Sequence, residues 1–521
     1  MKFIALLCLF TAAAFAAGKP NVIFIMTDDL DWEEVTSLRA YSDFALAGKE
    51  APKPKKVYTP NIDKLVSESL VLTQCHNAST VCTPGRYNFL TAQYASRAHS
   101  IAKLFPAPKT PSIEFNVDIE ANQWHLGRGM SQAGYYTGIV GKWHNADKIS
   151  HAYVVRPPIS DFRGIERGPQ DPTLPENVKK IRRAYDNAVK IMREEQGFDF
   201  VSSVYLGNAF ELGLPKVLSN CEHNMDWFTA GVLKFMDAQK TSGKPFFLYY
   251  APNVPHGGSK RFLENDPRAT PEGMVDWHLG SQPSREDALK RAKQNGVQPD
   301  FAWATWLDDG IGVLMKKLED MGLADNTLIV FTTDQLTRGK WTCYQGVRVP
   351  VAIHWPGKVK PGVNKTLLSA MDVAPTILDL IGGNVPSDVV VDGKSFATLI
   401  NGGTVVERPQ LIEMGYGRAI IANGWKYIAS RLPDDIKAEA AKKHKTPSLL
   451  GKFTDDKEQV PLELFPSFGA TDELFHLADD PMEQHNLAND PSHAAKLAEM
   501  REKLKAALKP LPHGFAEFKA E

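Results

Sequence analysis

Short apolar runs recur along the chain up to about residue 404, and each ends in polar or turn-forming positions. The run at residues 21–27 is rich in Val and Ile, as expected of a strand buried on both faces of a parallel sheet. Comparable runs lie at residues 137–140, 245–250, 327–332 and 349–354. Segments with helical spacing of apolar positions, such as residues 301–321, separate them. This alternation predicts an α/β fold, with a large mixed, mostly parallel sheet sandwiched by helices.

The pattern changes after residue 404. Short strand-like pieces lie at residues 411–414, 418–422 and 425–429. Leucine and methionine recur at helical spacing within residues 492–508, which predicts a final helix packed against these strands. The sequence therefore predicts a large domain over residues 17–404 and a smaller C-terminal α+β domain over residues 405–521, the latter a small antiparallel sheet plus a helix.

The N-terminus has the pattern of a signal peptide. Lys2 precedes a long apolar run that ends in Ala14-Phe15-Ala16, so we expect a signal peptide over residues 1–16 and a secreted or periplasmic product. No later stretch has the roughly 18 consecutive apolar residues that a membrane span needs. Over 521 residues the formal net charge is -1, which provides no overall attraction for nucleic acid.

Cysteine is scarce in the mature chain. Removal of Cys8 with the signal peptide leaves too few cysteines for a disulfide-built scaffold: Cys75, Cys82, Cys221 and Cys343. Cys82 lies in the run C-T-P-G-R, with Arg86 four residues further on. A thiol that escapes pairing in an oxidising compartment is usually reactive, modified or bound. The alternative is a small buried cysteine before a turn proline.

Other covalent changes are also open. If Cys82 is modified, the remaining three cysteines can form at most one disulfide. Sequons begin at Asn77 and Asn364, which predicts a glycoprotein if the host is eukaryotic. Because Asn77 lies so close to Cys82, we do not expect that sequon to be used.

Polar residues gather where the predicted strands end, and ligands of open α/β sheets bind at the carboxyl ends of the strands. Asp28 and Asp29 place two carboxylates together, which repel unless a cation or a proton is shared. Asp334 and Gln335 add a carboxylate and an amide oxygen at another strand end. Such oxygen ligands suit Ca²⁺, or less well Mg²⁺, rather than zinc. The alternative for Asp28-Asp29 is a solvated turn that caps a helix.

Nitrogen-bearing side chains cluster at the same predicted strand ends. They are Arg86, Lys142, His144, His256 and Lys340. A lone histidine is more often structural or merely exposed than functional. Two histidines, two lysines and an arginine together are what a pocket needs to hold a tetrahedral oxyanion and to protonate a leaving alkoxide.

The blocks that carry these residues follow one another in a specific order over almost the whole mature chain. They are N-V-I-F-I-M-T-D-D, T-P-N-I-D-K-L, C-T-P-G-R, G-K-W-H, P-F-F-L-Y-Y-A-P-N-V-P-H, T-T-D-Q, K-W-T-C-Y-Q-G-V-R-V-P and E-L-F-H-L-A-D-D-P-M-E-Q-H-N-L. Their order resembles the formylglycine-dependent sulfatases of the alkaline-phosphatase superfamily, which are arylsulfatase-like sulfuric ester hydrolases. The order is much more specific than any single block.

The resemblance implies that residues 17–404 form a catalytic domain and that a formylglycine-generating enzyme oxidises Cys82 to formylglycine (3-oxoalanine). It implies a divalent cation, usually Ca²⁺, bound by Asp28, Asp29, Asp334 and Gln335. It further implies that Arg86 and Lys142 stabilise the formylglycine and that His144 helps to break the sulfated intermediate. By the same resemblance, His256 and Lys340 bind the sulfate and protonate the leaving group.

The resemblance predicts a secreted sulfatase that hydrolyses a sulfate ester of a small molecule or polysaccharide, either a sulfated carbohydrate or an aryl sulfate. Two alternatives stay open: a phosphonate or phosphate ester hydrolase of the same superfamily, and a catalytically silent glycan-binding relative. Gln335 departs from the family's usual Asn, and Gln345-Gly346 replaces its E-G-G. A basic run, Lys179, Lys180, Arg182 and Arg183, is either a solvated helix face or a rim that attracts a polyanion.

Overall fold

The computed structural model describes residues 18–49, 55–106, 109–146, 171–207, 223–275, 280–443 and 464–518. The predicted signal peptide and Cys221 lie outside these residues. The strands are β1 Asn21–Thr27, β2 Leu70–His76, β3 Tyr136–Lys142, β4 Phe200–Tyr205, β5 Phe246–Ala251, β6 Ala269–Thr270, β7 Gly273–Met274, β8 Thr327–Thr333, β9 Arg348–His354, β10 Gly362–Asn364, β11 Leu368–Ser369, β12 Gln410–Met414, β13 Gly417–Ala422, β14 Trp425–Ser430 and β15 Asp472–His476.

Nine of these strands form one large sheet with the order β10-β2-β9-β8-β1-β5-β3-β4, in which β11 also pairs with β2. Neighbours run parallel except at β9, which is antiparallel to both β2 and β8. Every residue of β1, β5 and β8 is buried, as their unbroken apolar sequences require. The sheet is therefore mixed and mostly parallel, which confirms the predicted fold class.

Helices join the strands and pack against the sheet. They are α1 Asp43–Leu46, α2 Pro60–Ser67, α3 Cys82–Thr91, α4 His99–Leu104, α5 Leu126–Gln132, α6 Pro175–Lys190, α7 Met225–Ala238, α8 Gly258–Glu264, α9 Arg285–Gln294, α10 Ala302–Asp320, α11 Val373–Leu380, α12 Ala397–Ile400, α13 Asp434–Lys443 and α14 Ala494–Leu508. α10 lies where helical spacing predicts it. No described helix is long and apolar enough to cross a membrane.

The C-terminal part forms a four-stranded antiparallel sheet with the order β12-β13-β14-β15. On one face Leu411 and Ile420 share a core with Leu504 of α14. On the other face Ile412 shares a core with Val81, the residue before Cys82. The sheet and helix agree with the predicted α+β architecture, whereas the boundary at residue 405 stays a prediction. The shared core connects the small sheet to the segment that carries Cys82.

The structure describes three of the four mature-chain cysteines, the first sequon and the basic side chains of α6. Cys75, Cys82 and Cys343 are all buried and free of disulfide bonds. Asn77 is buried and its side-chain amide donates to two main-chain carbonyl groups, so the first sequon is not accessible for glycosylation. The basic side chains of α6 are exposed, and Arg182 pairs with Glu272 at 2.5 Å.

Candidate active site

The predicted site residues meet because four neighbouring parallel strands end at one edge of the large sheet. In the order β8-β1-β5-β3, Asp334 follows β8, Asp28 follows β1, the loop with His256 follows β5, and Lys142 ends β3. Carboxyl ends of parallel strands share an edge, so sequence-distant side chains converge there. Asp28, Lys142 and Asp334 are fully buried or nearly so.

Three carboxylates form the centre of this cluster. Asp29, at a left-handed φ of 67°, donates its main-chain N–H to Asp334 Oδ1 at 3.1 Å. Gln335 donates its main-chain N–H to the same oxygen at 2.9 Å. One ligand atom each of Asp28, Asp29 and Cys82 lies within 4.8 Å of the other two. The strained backbone at Asp29 is thus held by contacts that bring two acidic strand ends together.

Three side-chain cations face these three carboxylates. Lys142 Nζ lies 2.6 Å from Asp28 Oδ2, and Lys340 Nζ lies 2.6 Å from Asp29 Oδ2. Arg86 Nε donates to Asp334 Oδ2 at 2.9 Å. Pairing of this kind is what allows so many charges to be buried in one place.

Burial and charge pairing together move the pKa values of these groups apart. Burial alone would raise the pKa of Asp28, but Lys142 and the other nearby cations hold it well below its usual range. Burial raises the pKa of Asp334 to about 7, and the charge of Asp28 adds to the rise. Although burial opposes it, Asp29 raises the pKa of Lys340, which therefore keeps its proton. The site combines fixed cations with carboxylates of different basicity.

Cys82 begins α3 and points at this cluster. Its Sγ lies 3.4 Å from Asp28 Oδ1 and 3.2 Å from Gln335 Nε2. Burial, reinforced by the charge of Asp28, raises the pKa of the Cys82 thiol far above its usual value. Because the thiolate is the nucleophilic form of cysteine, this environment disfavours the reactive form of an unmodified Cys82.

The two predicted histidines follow the ends of β3 and β5. His256 Nε2 lies 3.9 Å from Asp29 Oδ2, and burial together with Lys142 and Lys340 lowers the pKa of His256 to about 4. His144 has a left-handed φ of 65°, and its ring packs beside Phe115 with the centroids 5.7 Å apart. Both imidazoles therefore lie near the strand ends, with His256 against the carboxylates.

The donor set fits a hard divalent cation. Gln335 Oε1 is buried and has no hydrogen-bond partner among the described residues, while its Nε2 faces Asp29 and Cys82. Turning the amide over exchanges these two atoms and directs the oxygen at Asp29. A Cβ on Gly85 would lie only 3.3 Å from Oε1, so the absence of a side chain at residue 85 makes room for the longer Gln335. Carboxylate and amide oxygens are ligands that Ca²⁺ and Mg²⁺ accept.

Sequence patterns did not identify four buried polar residues that support the site. Asn77 Nδ2 donates to the carbonyl of Asp334 at 2.6 Å, and Asn145 Nδ2 donates to that of Thr83 at 2.8 Å. Tyr249 Oη accepts from Arg86 Nη1 at 3.2 Å. His223 donates to the carbonyl of His256 at 2.8 Å. Each acts through a main-chain or neighbouring side-chain contact, which leaves no motif in the sequence.

Residues 20–383 match the family model described as "Sulfatase". The chain belongs to the sulfatase family, which confirms the resemblance predicted from its motifs. It is 26% identical over 519 residues to arylsulfatase A of Bos taurus, covering 93% of this chain and 86% of that protein. It is 24% identical over 555 residues to N-acetylgalactosamine-6-O-sulfatase of Bacteroides thetaiotaomicron, covering 94% and 93% respectively. Family and relatives support the predicted sulfuric ester hydrolase activity.

Solved structures share the fold over nearly the full chain. One comes from work on glycosaminoglycan metabolism by Bacteroides thetaiotaomicron, with 21% identity, a TM-score of 0.58, and coverage of 94% of this chain and 99% of that one. Another is a phosphonate monoester hydrolase of Silicibacter pomeroyi, with 17% identity, a TM-score of 0.55, and coverage of 94% and 95%. The fold is therefore common to hydrolases of more than one ester class.

Proposed function

We propose that this chain is an exported sulfatase that hydrolyses a sulfate ester with an oxidised Cys82 as its nucleophile. The main support is the burial of Cys82 against Asp28 and Gln335, at the centre of paired carboxylates and cations. The sulfatase family match over residues 20–383 supports the same reaction. The raised pKa of the thiol adds a reason for the modification, since the thiol itself is a poor nucleophile in this environment.

In this proposal a formylglycine-generating enzyme oxidises Cβ of Cys82 by two electrons, with molecular oxygen as the external oxidant, and removes the sulfur. The resulting aldehyde hydrates to carry two hydroxyl groups on one carbon. One hydroxyl gives up its proton and attacks the ester sulfur, the bond from sulfur to the ester oxygen breaks, and that oxygen leaves as the alcohol after taking up a proton. The second hydroxyl then loses its proton, the bond between residue 82 and the sulfate oxygen breaks, and the aldehyde returns. A serine in the same place lacks that second hydroxyl and so lacks this route for releasing sulfate.

The surrounding residues hold charge and protons at defined atoms. A divalent cation held by Asp28, Asp29, Asp334 and Gln335, Ca²⁺ in preference to Mg²⁺, would supply positive charge beside the attacking hydroxyl. Arg86 and Lys142 orient residue 82 through their contacts with Asp28 and Asp334. We assign His144 as the base for the second hydroxyl, and His256 and Lys340 as donors to the sulfate and to the leaving oxygen.

The substrate that we propose is a sulfated carbohydrate, with an aryl sulfate as the other member of the same class. The name of the relative from Bacteroides thetaiotaomicron, an N-acetylgalactosamine-6-O-sulfatase, supports the first, and the name of the relative from Bos taurus supports the second. The apolar N-terminal run supports export of the protein. Asn364, in the short strand β10, is the sequon that we propose for glycosylation in a eukaryotic host.

The nucleophile assignment is tested by replacing Cys82. Cys82→Ala should abolish turnover of an aryl sulfate and leave the thermal unfolding midpoint nearly unchanged, because the thiol packs as a small side chain. Cys343→Ala, at another buried free cysteine outside the cluster, is the matched control and should keep its activity. Turnover by Cys82→Ala at the unsubstituted rate would refute the assignment.

The alternative chemistry is phosphonate or phosphate ester hydrolysis, which the structural likeness to a phosphonate monoester hydrolase favours. The unsubstituted protein should be assayed in parallel on an aryl sulfate, a phosphate monoester and a phosphonate monoester. We expect kcat/KM to be highest for the sulfate. A dominant phosphonatase activity would replace the sulfatase proposal, and inactivity on all three would favour a silent glycan-binding protein.

A further inference from the structure

His223 is a buried histidine that no motif identifies. It lies directly beside the loop after β5, which carries His256. It precedes α7 and is 2% exposed. Its φ of 65° is left-handed, an uncommon conformation for a residue with a side chain. Strained, buried polar residues of this kind persist where surrounding contacts hold them in place, and such residues cluster at functional sites.

Two hydrogen bonds connect His223 to the loop after β5. Its ring Nε2 lies 2.8 Å from the main-chain oxygen of His256, and its main-chain N–H donates to Asn253 Oδ1 at 3.4 Å. The loop also has a bond of its own, from the N–H of His256 to the oxygen of Asn253 at 3.1 Å. His223 thus contacts the loop both at Asn253 and at His256.

The tautomer of His223 follows from these contacts. A carbonyl oxygen only accepts, so Nε2 must carry the hydrogen. Burial lowers the pKa of His223 to about 4, so the ring is neutral and Nδ1 bears a lone pair. Nδ1 is buried and has no hydrogen-bond partner in the described structure. The ring therefore contributes one directed donor, and that donor points at His256.

We propose that His223 is a positioning residue: its Nε2–H holds the main-chain carbonyl of His256 and thereby fixes where the His256 imidazole lies beside Asp29. The inference rests on the proposed function, in which His256 contacts the sulfate. The loop is also held by Asp28, whose N–H donates to the oxygen of Val254 at 3.4 Å. Loss of the His223 ring donor removes the contact at the His256 carbonyl, while the contacts at Asn253 and Val254 stay.

The inference is tested by sulfate binding and by turnover in a double-mutant cycle. His223→Phe keeps a ring but removes the donor, and His223→Gln keeps an N–H donor of similar reach. Displacement of a contact group by about 1 Å can cost on the order of 100-fold. We therefore expect His223→Phe to weaken inorganic sulfate binding, measured by calorimetry, and kcat/KM by about 10- to 100-fold, and His223→Gln to restore most of the loss.

In a His256→Ala background, His223→Phe should have no further effect, because it acts only through His256. The matched control is His125→Phe, since His125 is also buried and contacts a main-chain oxygen, that of Gln196, at 3.0 Å. Both Phe variants should lower the thermal midpoint, but only His223→Phe should lower sulfate affinity per folded molecule.

¹⁵N chemical shifts of labelled histidine should report the Nε2–H tautomer of His223.

Additive losses in the cycle, or a Gln variant as impaired as the Phe variant, would overturn the positioning role. Sulfate binding without turnover by the unsubstituted protein would overturn the catalytic proposal alone, because the cycle can still be completed by calorimetry. Absence of sulfate binding to the unsubstituted protein would overturn both.

Discussion

At the scale of single residues, Gly85 shows how one missing side chain shapes the site. A Cβ there would lie 3.0 Å from Asn77 Nδ2, 3.0 Å from the oxygen of Asp334 and 3.3 Å from Gln335 Oε1. The neighbouring groups are the ones that support the proposed cation ligands. The glycine in C-T-P-G-R is therefore a spatial requirement of this site as well as part of a motif.

Gly85→Ala should impair the site more than it impairs folding. Overpacking costs about 1–3 kcal/mol, and the better helix propensity of Ala offsets about 1 kcal/mol of that. We expect a small change in thermal midpoint and weaker binding of Ca²⁺. We also expect a fall of about tenfold or more in kcat/KM, since each 1.4 kcal/mol of lost transition-state stabilisation is a factor of ten in rate. Gly383→Ala, where the nearest atom is at 3.4 Å, is the control and should change neither property. Full activity in Gly85→Ala would contradict this account of Gln335.

The sequence was sufficient to nominate the charged residues of the site but not the residues that orient them. Asp28, Lys142 and Asp334 follow buried apolar runs, and a sheet brings such positions to one edge. Asn145 and His223 instead contact main-chain oxygens of segments far away in the sequence. Such contacts depend on three-dimensional placement, so neither spacing nor residue type identifies them.

At the scale of elements, the bounds of fully buried strands were predicted more accurately than those of partly exposed strands. Fully buried β1 and β8 were predicted nearly to the residue because their apolar runs are unbroken. β2 was not predicted, since its pairing with β9 shifts register between Leu72 and Cys75 and polar residues interrupt its run. β4 was also missed, because it is an edge strand with partly exposed positions.

Asn77 holds two of these elements together. Its Nδ2 donates to the oxygen of Asp334 after β8 and to that of Gly85 in α3, at 2.6 and 3.2 Å. Asn77→Ala leaves both carbonyl groups without this donor, so the free energy of unfolding should fall by about 1–3 kcal/mol, and activity should fall as well. Asn384→Ala, at an exposed asparagine, is the comparison in denaturant titrations. Equal stabilities of the two variants would show that Asn77 does not connect these elements.

At the scale of the whole molecule, buried neutral histidines make stability depend on pH. Burial lowers the pKa of His125 to about 3 and that of His223 to about 4. In the unfolded chain both titrate near 6.5, so the unfolded state binds more protons as the pH falls below about 6.5. Their contribution to stability is complete above that pH and is lost on acidification, by up to about 1.4 kcal/mol per pH unit for each histidine.

In denaturant titrations between pH 7 and pH 4, the difference in free energy of unfolding between the unsubstituted protein and His125→Gln should therefore shrink as the pH falls below about 6.5, because the variant lacks the contribution of His125 that acidification removes. A difference that does not change with pH would mean that His125 does not stay neutral in the folded state.

The central claim is that Cys82 acts as formylglycine, and mass spectrometry of the peptide that contains it tests this claim most directly. The protein should be secreted natively by cells that have a formylglycine-generating enzyme, purified without reductant and digested. We predict a Cys82 peptide with the mass of the aldehyde, lower than that of the thiol form, while the Cys343 peptide keeps the mass of cysteine. A wholly unmodified Cys82 in active secreted protein would contradict the account.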